Sequence, residues 1–447
     1  MKKPNILFFF SDQQRADTCG CYGQKLATTP ELDAMAKEGV RFSHAFTAQP
    51  VCGPTRAILQ TGLYATEVGC HRNDKALNPN QPTIAKQLKS AGYQAGYIGK
   101  WHLASQSPDF NYRTESVPPE LRGGYDDYWL ASDALEFTSH GHDGHMFDGE
   151  GNKREFPEGR FRADAQTDFV LEYLDQQNEN QPFFLFTSYL EPHHQNDHNR
   201  YEGPHGSKEQ WANYETPGDL EGTIGDWREN YPDYLGCINA LDQGLARVRQ
   251  KLKEKGLLEN TVIIFTSDHG SHFRTRNGEY KRSCHDASLH VPLVISGPGF
   301  SGGKVKDELI SLVDLPKTIL KIAGAEEVPA MQGHDLRALV SGENKSWSDD
   351  HFFQISESGI GRGIRTHRWK YSVEAKSQDR DQSYAEAYEE AYLYDLESDP
   401  HERENLVDHP ELESVRNDLK ERLFKRMAIA NEDRPKIVPK GSLTTSC

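Results

Sequence analysis

The sequence predicts an α/β fold: a large domain built on a mostly parallel central sheet flanked by helices, followed by a smaller α+β C-terminal domain. Three observations carry this expectation. Short apolar runs (Ile6–Phe10, Ala95–Ile98, Phe183–Ser188, Val262–Thr266 and Val291–Ile295) recur between helical patterns, as strands buried on both faces do. A chain of 447 residues exceeds what one ordinary core organises. After Gly333 the chain changes character, which places a boundary near residue 340 and divides it into 1–340 and 341–447.

Taken in order, the first apolar run ends on Asp12 and Gln13, at the carboxyl edge of a parallel sheet, where ligands bind. Thr29-Pro30 supplies an N-cap and a first-turn proline; Leu32, Met35 and Ala36 then share a face, and Gly39 ends the helix. Cys52-Gly53-Pro54-Thr55-Arg56 opens a short helix over Thr55–Gln60, closed by Thr61-Gly62. Cys52 thus sits at a helix N-terminus, where unpaired N–H groups favour an anion. Thr83 through Ala91 repeats the scheme, with Ile84 and Leu88 one turn apart and Gly92 as the stop. Residues 104–160 and 193–232 show no period and are expected to be long loops over a pocket.

Asp268-His269-Gly270 follows its strand as Asp12-Gln13 follows the first, and two such strand ends can converge on one cation. Beyond residue 340, Phe352–Ile355 and Trp369–Val373 read as strands and 379–390 is acidic, while Leu412, Val415, Leu419 and Leu423 mark an amphipathic helix.

Composition narrows the function. A formal charge of −17 excludes broad nucleic-acid binding, which draws its affinity from Lys and Arg on phosphates. An anionic substrate needs a local basic pocket, and Arg274, Arg276 and Arg282 form a candidate rim. Seven cysteines (19, 21, 52, 70, 237, 284 and 447) lack the spacing of a disulfide framework; all but Cys52 read as small buried hydrophobes or surface thiols. No apolar run reaches the length of a membrane span, and the stretch after Met1-Lys2-Lys3-Pro4 is too short for a signal peptide. The expected location of the chain as given is cytoplasmic, or periplasmic or secreted if a signal has been removed.

Residues 52–56 carry the core pattern Cys-x-Pro-x-Arg, and Thr61-Gly62 follows. Collinear with it stand Gly99-Lys100-Trp101-His102, Glu191-Pro192-His193, Asp268-His269-Gly270, Lys281, Val291-Pro292, Leu393-Tyr394-Asp395-Leu396, Asp399-Pro400 and Glu404-Asn405-Leu406. Over nearly its whole length the chain resembles the formylglycine-dependent sulfatases of the alkaline phosphatase superfamily. That resemblance implies an alkaline phosphatase-like large domain and oxidation of Cys52 to formylglycine by a formylglycine-generating or anaerobic maturase enzyme. The hydrated aldehyde is then the nucleophile on sulfur. A gem-diol also solves turnover, because its second hydroxyl can lose a proton and expel sulfate, an exit that serine or a thiolate lacks.

By the same resemblance Asp12, Gln13, Asp268 and His269, beside Cys52, match the ligands of one divalent metal. Calcium is expected first, and the nitrogen of His269 makes manganese or zinc plausible. Arg56 would hold the hydrated aldehyde, Lys100 and Lys281 the sulfate oxygens, and His102 and His193 the protons. His285, four residues after Lys281, is the expected substrate contact, with Arg276 and Arg282. The implied reaction is hydrolysis of a sulfate monoester on a carbohydrate. The alternatives are a phosphonate monoester hydrolase or phosphodiesterase of the same superfamily, or a noncatalytic anion-binding protein if Cys52 stays unmodified. No nucleic-acid or membrane partner is expected.

Overall fold

In the computed structural model, which describes residues 2–104, 109–343, 346–375, 379 and 381–442, the apolar runs become adjacent strands of one sheet. Cys447 lies outside the described residues. At the centre the strands Thr261–Ser267, Asn5–Ser11, Phe183–Ser188, Gln94–Lys100 and Tyr128–Ser132 pair side by side, all parallel. Their carboxyl ends therefore share one edge of the sheet. Among the described residues this sheet has 12 strands, completed on both sides by shorter, mostly antiparallel ones.

Alternation explains why both faces are covered. Along the first strand Ile6, Phe8 and Phe10 enter one core, with Ile84 and Leu88 of the helix Ile84–Ser90 and Leu315 and Ile319 of Asp314–Ala323. Leu7 and Phe9 enter the opposite core, with Leu32 and Met35 of Pro30–Glu38, Val170 of Arg162–Gln176 and Leu241 of Trp227–Glu254.

Several local expectations change. The run Val291–Ile295 is split at Pro292 into His290–Val291 and Leu293–Ser296, and both pieces run antiparallel to their neighbours. Proline has no N–H for a continuous ladder. Thr29 accepts no capping bond from a helix amide and donates to the Asp33 carboxylate instead; Asp242 accepts from the amides of Glu31 and Leu32 at 2.9 and 2.8 Å. The helix at Cys52 begins at that residue and runs to Thr61, three residues earlier than expected, with Gly62 closing it at φ 71°. Within 104–160 the structure forms Tyr128–Ser132, Asp143–Asp148 and Lys153–Glu155, and Trp227–Glu254 starts inside the second expected loop. Among the described residues no helix is long and apolar enough to cross a membrane.

A second sheet runs in the order Asp350–Ile355, Ile360–Thr366, Trp369–Ala375, Ala387–Asp395 and Lys436–Val438, antiparallel except for the last pair. The helix Glu413–Ile429 packs on it through Leu419, Leu423 and Met427. This core is shared: Ile58 of the Cys52 helix, Tyr64 and Val313 belong to the same cluster.

Gly99 fixes how one strand delivers its last residue. Its φ is +114°, and a Cβ there would lie 1.9 Å from the carbonyl oxygen of Ser188 on the neighbouring strand. Gly99→Ala is expected to cost at least about 2 kcal/mol through strain and overpacking. A lowered urea midpoint would register it, and a variant as stable as the parent would show that the neighbouring strand yields.

Candidate active site

The five parallel strands end in the residues that line the site. Asp12 and Gln13 follow the first strand, and Asp268 and His269 follow Thr261–Ser267. Lys100 closes Gln94–Lys100, His193 comes shortly after Phe183–Ser188, and Glu136 after Tyr128–Ser132. Facing them, the helix Cys52–Thr61 places Cys52 in its first turn.

Asp12, Cys52, Asp268 and His269 are all buried, with ligand-type atoms within 4.8 Å of one another. The Cys52 Sγ accepts from Lys281 Nζ at 2.8 Å and lies 3.3 Å from His269 Nε2 and 3.5 Å from Asp12 Oδ1. Asp12 Oδ2 accepts from Lys100 Nζ at 2.9 Å and Arg56 Nη2 at 3.0 Å. Arg56 is held in turn by donating Nη1 to the Lys100 carbonyl at 2.7 Å and to Ser188 Oγ at 2.6 Å. Lys281 Nζ also meets His193 Nε2 at 3.1 Å.

Burial opposes every charge here, so the charged groups must hold one another. Burial and Cys52 push the Asp12 carboxyl up, yet Lys100, His193 and Arg56 outweigh them and keep it below the usual carboxylate range. Burial likewise opposes ionisation of Cys52, but Lys100, Lys281 and His269 bring the thiol well below its ordinary value. Burial and Lys281 lower His193 and favour its neutral form. Asp268 goes the other way: burial and the neighbouring Asp12 carboxylate raise it.

Three features fit a bound cation. Asp268 Oδ1 accepts from the amides of Gln13 and His269 at 2.9 and 2.8 Å, while buried Oδ2 has no hydrogen-bond partner among the described residues. His269 engages the carbonyl of Gly270 through Nδ1 at 2.8 Å, so Nδ1 carries the proton and the Nε2 lone pair faces the cluster. Gln13, held at φ 73°, donates its Nε2 to Tyr201 and Ser271, which leaves the side-chain oxygen as its ligand atom.

Above Cys52 opens a cavity of about 250 Å³. Gln13, His102, Glu136, His193 and Lys281 line its inner part; Asn73, His194, Asn196, Arg274, Tyr280 and Arg282 line the mouth. The structure thus gathers Asp12, Gln13, Cys52, Arg56, Lys100, His102, His193, Asp268, His269 and Lys281 around one centre and keeps Arg282 at its edge, paired with Glu279 and at 2.8 Å with Glu357. It does not bring His285 or Arg276 there. His285 is buried against Tyr394, Nε2 to hydroxyl 3.0 Å, and Arg276 donates to the carbonyls of Glu402 and His401 at 2.7 and 2.8 Å. Spacing along the chain misled in both cases: the segment after Lys281 turns His285 toward the second sheet, and Arg276, five residues before Lys281, is held by the backbone carbonyls at 401 and 402.

Sequence reasoning passed over two residues. Glu136 accepts from Lys100 at 3.3 Å, and although burial opposes, that ammonium holds its carboxyl at about 2. Asn73 accepts from the amide of Gly53 at 2.9 Å, beside the nucleophile's helix. Each is an ordinary polar residue in an aperiodic stretch, and no sequence signal separates it from its neighbours.

In unmodified, metal-free protein, alkylation of Cys52 by iodoacetamide should keep its rate well below pH 9, because the thiolate persists there. Lys281→Met is expected to move the rate–pH profile of this alkylation toward higher pH by about one unit, as loss of one neighbouring cation would. Identical pH profiles in both proteins would remove the ammonium from this role.

The comparisons with known proteins agree with this geometry. The family model described as Sulfatase matches residues 4–325, and the model described as N-sulphoglucosamine sulphohydrolase, C-terminal, matches 278–428. An ulvan-active sulfatase of Formosa agariphila is 28% identical over 95% of this chain and 81% of its own. An N-acetylglucosamine-6-O-sulfatase of Bacteroides thetaiotaomicron is 25% identical over 94% of this chain and 85% of its own. The crystal structure of the yidJ protein from Bacteroides fragilis superimposes with a TM-score of 0.84 at 25% identity, covering 97% of each chain.

Proposed function

The chain belongs to the sulfatase family and hydrolyses sulfuric esters, and on that premise we propose that its substrate is a sulfated carbohydrate attacked at the position of Cys52. The observation that carries the reading is the set of cations converging on Cys52 and Asp12: Lys281, which lines the open cavity together with Cys52, and the fully buried Lys100 and Arg56 on Asp12. A sulfate ester needs its terminal oxygens neutralised as the sulfur–oxygen bond breaks, and fixed cations in a water-poor site do this without reorganising. The activity named for the Formosa and Bacteroides thetaiotaomicron relatives supports a glycan substrate.

In this reading the Cys52 side chain stands where an aldehyde hydrate would sit, and formylglycine, once formed by a maturase, supplies an oxygen nucleophile with a second hydroxyl for release. Asp12, Gln13, Asp268 and His269 hold one divalent metal, calcium before manganese or zinc, which supplies Lewis acidity toward a sulfate oxygen. Arg56 and Lys100 fix Asp12, and Glu136 keeps Lys100 charged and aimed inward. Neutral His193, touching Lys281, is placed to share a proton with the leaving alcohol through that ammonium. His102 lines the nucleophile's side of the cavity and handles the proton there. Arg274 and Arg282, in place of Arg276, face the sugar. We keep residues 1–340 as the catalytic domain and 341–447 as its smaller companion.

Matured protein should release sulfate from members of a panel of sulfated mono- and oligosaccharides, followed by ion chromatography. Its kcat/KM on the best sugar should exceed that on any aryl phosphonate by at least roughly a hundredfold, about 2.7 kcal/mol of transition-state discrimination. Aryl phosphonates outperforming every sugar would give the site to phosphonate hydrolysis. Cys52→Ala should lose nearly all turnover with the fold intact. Chelation should abolish turnover and lower Tm, since only the folded state presents the assembled ligands; full activity after exhaustive chelation would refute the metal assignment.

A further inference from the structure

Apart from the Cys52 centre, the described residues hold a second group of metal-type ligands. His140, Asp197 and His198 offer atoms within 4.8 Å of one another. They belong to different segments: His140 ends the short strand Ser139–His140, and Asp197 and His198 lie on the loop that follows His193. We propose that these three side chains form a second site, for a transition dication of the zinc type.

Each ring is already held at one nitrogen by a carboxylate. A histidine that binds a metal through one nitrogen commonly has its other ring N–H held by a carboxylate, which sets tautomer and orientation. His198 Nδ1 meets Glu202 Oε1 at 2.6 Å, so Nε2 is the atom this ring offers. His140 Nδ1 meets Asp143 Oδ1 at 3.1 Å, and its Nε2 lies 2.9 Å from Asp197 Oδ2. The two rings are stacked, 8° apart in plane with centroids at 4.4 Å, so one exposed ring turns out of the stack for both Nε2 lone pairs to reach one ion. Asp197 is oriented as well: Gln195 donates to Oδ1 at 2.8 Å and leaves Oδ2 toward His140. Two imidazoles and a carboxylate, with solvent for the fourth position, suit zinc and its neighbours better than calcium. The side chains are 37%, 47% and 40% exposed, so an ion can reach them.

The site would act as a clasp. Gln195 also donates to the carbonyl of Glu136 at 2.9 Å, and His194 and Asn196 on the same loop line the cavity mouth. An ion joining His140 to Asp197 and His198 would tie this loop to the segment that carries Glu136. In the metal-free protein the contact between His140 Nε2 and Asp197 fills that place, and zinc would displace the proton it holds.

The test uses the full chain and zinc alone. Protein equilibrated with ZnCl2 and passed through a desalting column should retain one zinc equivalent more than His198→Gln or Asp197→Asn, by elemental analysis. Asp12→Asn, which disables the buried centre, should still retain that equivalent. Titration calorimetry should show at least tenfold weaker binding at this site in both surface variants, and zinc should raise Tm in the parent more than in either. Cobalt substitution should give a visible d–d band that the surface variants lack. Identical retention and identical Tm shifts in parent and surface variants would overturn the proposal, as would retention that disappears in Asp12→Asn alone. Two variants of different chemistry, both at exposed positions, keep the result independent of a folding defect in one.

Discussion

The centre of this protein depends on charges that have no water to fall back on. Asp12, Arg56, Lys100 and Asp268 are essentially inaccessible to solvent, and each ion is tolerable there only because the others are in place. Arg56 illustrates the interlock. One of its terminal nitrogens meets Asp12, and the other is spent on the Lys100 carbonyl and Ser188, so the guanidinium ties three strand ends together while it neutralises one carboxylate. Asp268 is the member left short, raised by burial and Asp12, with one oxygen that has no hydrogen bond and meets Arg56 only at 3.7 Å. A dication held there would restore that balance, so the proposed metal, the nucleophile and the fold depend on the same few charges.

Much of this was legible in the sequence because strand ends and helix starts are written locally. Asp12-Gln13 and Asp268-His269 each follow an uninterrupted apolar run, and Cys52 precedes a proline at the start of a helix closed by Gly62. What stayed hidden depends on tertiary contact. The cap on Pro30–Glu38 comes from Asp242, more than two hundred residues away. The long helix Trp227–Glu254 carries Pro232 and Gly236 near its start, and these read as turn signals until packing of Leu235, Ile238 and Leu241 overrides them. His285 and Arg276 sit beside Lys281 in the chain yet bond to Tyr394, His401 and Glu402, contacts that no periodicity encodes.

The division of labour between rigid and variable parts follows from the same geometry. Asp12, Gln13, Lys100, Asp268 and His269 stand at the ends of parallel strands buried on both faces, where Gly99 lets strands approach closely, and Cys52 and Arg56 on the helix that faces them. Groups at the mouth, from Asn73 to Arg282, stand on connecting segments. Connecting segments vary more readily than buried strand ends, so the mouth is the part of this site most open to change.

The core shared by the two sheets has a consequence for how the chain is made. Ile58, on the helix that bears the nucleophile, packs in one cluster with Ile364, Tyr371, Leu419 and Leu423. As the polypeptide leaves the ribosome, the first sheet and that helix are synthesised long before their apolar partners at 364–423 exist. During this interval Ile58, Tyr64 and Val313 present an uncovered hydrophobic surface on an otherwise completed sheet. The nascent enzyme therefore passes through a stage at which its own late segment competes with aggregation for the same patch, and a premature stop near residue 340 leaves that patch permanently exposed.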